Sequence, residues 1–131
     1  MAYPTGTGSE VLKRTTINAQ EHVATAFRWD GTQATTGTSS YTVPALHIIT
    51  VLSVIICDNA NNDRTDIMYM YDDAGGDNIY LMQAQPIAAY ETFVWNDKFV
   101  LQGGDKLVVN TNAAGANHDF LCTFIDQNWE N

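Results

Sequence analysis

A chain of 131 residues with 6 Lys+Arg against 15 Asp+Glu carries a formal net charge of −9, so phosphate-coated surfaces repel its average face. Nucleic acid and anionic membranes are therefore poor partners. The length suits one domain with one core and leaves no room for a two-domain enzyme, while 45% hydrophobic against 16% charged residues is too apolar for a disordered acidic tail.

Met1 to Ser9 has no basic stretch and no apolar run, so no secretory signal is expected. Pro4, Gly6 and Gly8 among Thr and Ser cannot bury enough surface to order alone. Residues 1–14 are expected to form a flexible arm and residues 15–131 a single domain. Tyr3 and the adjacent basic pair Lys13-Arg14 are the arm's candidate partner-binding residues, since that pair is a local positive spot suited to an acidic groove on another subunit.

Apolar spacing is of period two or continuous, not helical, from here on. Val11 to Ile17 and Val23 to Trp29 open the series, the second closing on Asp30-Gly31; Gly31 to Ser40 is a polar loop. Tyr41-Thr42-Val43 reads as a short edge strand stopped by Pro44. His47 to Cys57 is β-branched at most positions and hydrophobic on both faces, the pattern of a central strand covered on two sides. With Pro44, His47, Thr50 and Ser53 in or beside it, this run falls short of the ~18–20 apolar residues of a spanning helix. Ile67–Tyr71 and Ile79–Met82 flank the turn Asp72 to Asp77; Phe93–Trp95 and Phe99–Leu101 flank the break at Asn96-Asp97; Leu107–Val109 and Phe120–Ile125 complete the set. About eight strands with short turns predict an all-β fold, an antiparallel β-sandwich or jelly roll.

Chemistry-bearing patterns are sparse. The acidic cluster Asp72, Asp73, Asp77 has neither the spacing nor the closing Glu of a calcium loop, and it reads, like Asp58 to Asp66, as a solvated turn. His22, His47 and His118 have no metal-ligand spacing; His47 reads as structural, His22 and His118 as exposed. No Gly-x-Ser-x-Gly elbow is present. Neither a catalytic residue nor a cofactor or metal is expected. Cys57 and Cys122 sit in apolar runs and read as buried free thiols. Tyr69 and Tyr71 share one face of their strand and Met68 and Met70 the other, which makes these four the candidate apolar contact for a partner. Tyr80, Tyr90, Trp95 and Trp129 extend the aromatic set, as core, interface or sugar platform.

Three segments, Leu12-Lys13-Arg14-Thr15-Thr16-Ile17-Asn18, Val43-Pro44-Ala45-Leu46-His47-Ile48-Ile49-Thr50-Val51 and Phe99-Val100-Leu101-Gln102-Gly103-Gly104-Asp105-Lys106-Leu107, resemble small virion structural proteins of tailed bacteriophages. The resemblance implies a non-enzymatic β-sandwich module, made in the host cytoplasm. It would act as a capsid decoration (cement) protein on the capsid exterior, bound to the major capsid protein or another virion subunit as a homotrimer. A tail- or neck-associated role, or a glycan-binding module on the virion, is the alternative.

Overall fold

The computed structural model describes residues 9–129. Nine strands are found among them: β1 (Ser9–Gln20), β2 (Thr25–Ala26), β3 (His47–Asp58), β4 (Arg64–Asp72), β5 (Asp77–Ile87), β6 (Thr92–Trp95), β7 (Phe99–Gln102), β8 (Lys106–Thr111) and β9 (His118–Asn128). They form an antiparallel sandwich of jelly-roll type. One sheet runs β1-β9-β3-β6, with β7 also paired to β3; the other runs β2-β8-β4-β5.

β3 is the central strand because its run of Ile and Val suits a pleated, buried surface. β9 pairs along one edge, while β7 pairs with Ile48–Val51 and β6 with Val54–Cys57 along the other. A register shift between Val51 and Ser53 resets the alternation, so Ile49, Val51, Val54 and Ile56 all enter the core. Facing them are Met68 of β4, Leu107 and Val109 of β8 and Met82 of β5. Phe27 and Trp29 fill the interior from the segment after β2: Phe27 meets Phe120 with ring centroids 6.2 Å apart, and Trp29 meets Phe124 edge-on at 5.0 Å.

Two expectations change. Ser9 to Arg14, read as part of the arm, is strand: Ser9 opposes Asn128 and Arg14 opposes Thr123, because the β-branched, Thr-rich sequence that follows carries its extended conformation back to an edge of the sheet. Residues 1–8, with Tyr3, lie outside the described residues. Tyr41–Val43 is not strand; Pro44 stops a ladder, and Val43 is tied to a turn instead, donating its N–H to Asp105 O at 2.8 Å and accepting from Gly104 N at 2.9 Å. Gly104 holds a φ of 91° in that turn, a conformation that favours glycine.

Candidate functional site

The strand β3 is apolar on both faces, yet only its inner face is covered. In register across the outer face run Leu12, Ile125, Thr50 and Val100, and beside them Thr16, Leu121, Ile55 and Val94. Leu12 is 68% exposed, Val94 50% and Val100 45%. Charges stay at the margins: Glu10 and Arg14 on β1 and Asp119 at the start of β9. The row between those two apolar rows, Arg14, Thr123 and Ser53, is polar, so the exposed apolar side chains form two patches on one face and are not scattered singly. One end of the face is hollow, about 470 Å³, between Arg14, Thr16, Ile55, Cys57 and Leu121. Cys57 is thus half-exposed here, whereas Cys122 is buried, and burial pushes the Cys122 thiol up.

The residues singled out from sequence scatter over several surfaces. Met68 is fully buried and Met70 packs against the core; β4 lies between β8 and β5, so its inward row is core and Met68 cannot meet a partner. Tyr69 and Tyr71 sit on the outer face of the four-stranded sheet. The Tyr69 ring meets that of Tyr80 at a tilt, centroids 5.2 Å apart, with burial, then the Tyr80 hydroxyl, pushing its own hydroxyl up; Lys106 lies 5.4 Å over the Tyr71 ring. Arg14 borders the hollow of the apolar face. Lys13 points to the other side of β1, where its Nζ donates to Asp126 Oδ2 at 2.9 Å.

Sequence reading missed two polar clusters at opposite ends of one row. Along β9, His118, Phe120, Cys122, Phe124 and Asp126 all face inward and are buried. At the first end His118 is fully buried, its Nδ1 2.8 Å from Asp66 Oδ2 and its Nε2 3.4 Å from Asp58 Oδ2. Both carboxylates are fully buried too, so the reading of Asp58 and Asp66 as solvated turn residues and of His118 as exposed is overturned: antiparallel pairing sets Asp58 opposite His118, and β4 brings Asp66 across from the other sheet. Burial alone lowers the His118 pKa, but the hydrogen bond and charge of Asp66, aided by Asp58, hold it above the usual histidine value. Burial, helped by the charge of Asp58, raises Asp66 above the ordinary aspartate value despite His118. The pair looks catalytic in composition, but a fully buried imidazole cannot reach a substrate; it clamps one sheet to the other.

At the second end Asp126 accepts from Lys13 and pairs at 2.8 Å with His47 Nδ1. This cluster opens onto a cleft of about 260 Å³ whose walls include Trp29, Tyr41 and Arg28.

No family model matches the chain, and no curated protein matches it. Among solved structures, Bacillus endospore appendages, described as disulfide-linked pili, are similar over 99% of this chain and 97% of theirs, with a TM-score of 0.53 and 12% identity. The globular domain of zebrafish complement 1qA covers 90% of this chain and 94% of its own at a TM-score of 0.46 and 14% identity. A chain of infectious bursal disease virus covers 95% of this chain and 37% of its own at 0.47 and 9%. The first likeness shows a shared sandwich fold.

Proposed function

We propose that the protein is a non-enzymatic structural subunit of a virion, a decoration protein on the outer surface of a tailed-phage head that assembles as a homotrimer and contacts the major capsid protein. The observation that carries the reading is the bare outer face of the five-stranded sheet. Its apolar rows span four strands, ~15 Å across at ~4.8 Å per strand. A second copy fits it best: in a chain of net −9, like copies repel least where charges are few, and this face keeps Glu10, Arg14 and Asp119 at its margins. In a trimer this face would meet a different surface of the next copy, because three-fold rings close through heterologous contacts. The phage placement rests on the sequence resemblance, and the acidic surface suits the outside of a DNA-filled shell.

Changing Leu12 and Val94 together to Lys places charge on two exposed positions without touching the core, so the melting temperature should stay within a few degrees. Sedimentation of the full chain is expected to move from trimer to monomer. A wild-type monomer, or a variant that stays trimeric, overturns the assembly reading. Antibody labelling of particles grown from the genome encoding this chain is expected to mark head exteriors; label confined to tails or absent overturns the decoration role.

A further inference from the structure

We propose that the cleft at the Asp126 end of the sandwich binds a small carboxylate-bearing ligand the size of one sugar ring. The inference does not rest on the assembly reading. At about 260 Å³ the cleft lies near the ~300 Å³ lower end of small-molecule sites.

Its carboxylates are already occupied. Asp126 takes Lys13 on Oδ2 and His47 on Oδ1. Asp30 takes the Thr32 N–H at 3.0 Å on Oδ1, together with the Thr32 hydroxyl, and Arg28 at 2.9 Å on Oδ2. Donors are left over. An ammonium has three N–H groups and a guanidinium five, yet Lys13 and Arg28 each spend one on a carboxylate. Trp29 lines the cleft with its Nε1–H buried and, among the described residues, without an acceptor, so that N–H reports on the cleft while the spare donors of Lys13 and Arg28 meet the ligand.

A cationic ligand would add donors to donors, and a neutral sugar brings as many donors as acceptors. A carboxylate brings acceptors alone, in a shape that matches a guanidinium fork. Tyr41, with the Arg28 guanidinium 4.8 Å above its ring, supplies with Pro44 an apolar wall for ring C–H groups. Lys13 and Arg28 line the cleft beside Asp126 and Asp30, so its formal charges balance and a bound carboxylate is held by their spare donors, not by net charge.

Trp95→Phe and Trp129→Phe remove the other indole N–H signals from a ¹H–¹⁵N spectrum and leave that of Trp29. Sodium glucuronate is expected to shift this signal saturably with a millimolar dissociation constant, and glucose at equal concentration to leave it unmoved. Acetate distinguishes the sources of the carboxylate: equal affinity assigns the site to simple organic acids, and binding weakened about tenfold, ~1.4 kcal/mol, assigns it to acidic sugars. Arg28→Gln should weaken glucuronate at least about tenfold with the remaining spectrum unchanged. The proposal is overturned if neither carboxylate moves the signal, if glucose or inorganic phosphate moves it as strongly as glucuronate, or if Arg28→Gln binds like the parent.

Discussion

The two ends of β9 solve the same problem in opposite ways. Each closes an apolar row with an ionisable side chain held by two partners, His118 between Asp58 and Asp66, Asp126 between Lys13 and His47. At the His118 end all three groups are fully buried, and the contacts join strands of both sheets. At the Asp126 end only the carboxylate is buried, and Lys13 and His47 keep contact with the cleft. The first end is therefore sealed and mechanical, the second open and available for exchange with solvent or ligand. Low dielectric makes each contact at the sealed end stronger and each loss there more costly.

His118→Ala tests the sealed end most severely. It leaves two buried carboxylates facing each other without a counter-charge, and removing one partner of a buried ion cluster costs ~3–5 kcal/mol, about a fifth or more of the ~5–15 kcal/mol stability of an ordinary domain. Urea denaturation should show that loss in the midpoint. A midpoint within about 1 kcal/mol of the parent would show that water reaches the cluster.

Why this cluster escaped the sequence is physical. His118 follows Asn117 and precedes Asp119, a polar neighbourhood that suggests a loop, and its partner Asp66 is 52 positions away. A signal was nevertheless present: the period-two row His118, Phe120, Cys122, Phe124, Asp126 places both ionisable residues in phase with the core, and extending Phe120–Ile125 by one step in each direction finds them. β3 was legible because β-branched residues on both faces are a strong local pattern. Its outer face was read as covered, since hydrophobicity reports a need for cover and not whether the same chain supplies it. Met68 and Tyr69 share a strand, and only the tertiary pairing of β4 between two neighbours decides that one is core and the other surface.

A second difference between the ends appears on titration. His118 and Asp66 are both raised in the folded protein, so the folded state binds more protons than the unfolded chain. The His118 contribution is fully present below the unfolded histidine value of ~6.5 and is lost as pH rises through the higher folded value; the Asp66 contribution has the same slope, from ~3.8 upwards. Thermal stability should accordingly fall as pH rises above ~3.8 and, through His118, further above ~6.5. His118→Gln is expected to flatten that slope, and an unchanged slope in the variant would assign it to the general relief of negative charge at lower pH.

The open end should respond more mildly. Asp126→Asn keeps the shape and an acceptor while removing the charge that Lys13 and His47 share, so a loss of ~1.5–3 kcal/mol is expected, the worth of hydrogen bonds to a charged group. Equality with His118→Ala would erase the distinction between the two ends.

Lys13→Met is the smallest and most discriminating change. The Lys13 side chain is 28% exposed, so solvent screens its pairing with Asp126, and such pairs contribute ~0–1 kcal/mol. Methionine keeps the apolar stem that lies along the cleft wall, and His47 still holds the other carboxylate oxygen. Stability should therefore move by less than about 1 kcal/mol, while glucuronate binding, which draws on the spare ammonium donors, weakens several-fold. A melting temperature lowered as far as by Asp126→Asn would make Lys13 a structural partner and the open end a second clamp; unchanged stability with weakened carboxylate binding is the pattern of an end kept open for a ligand.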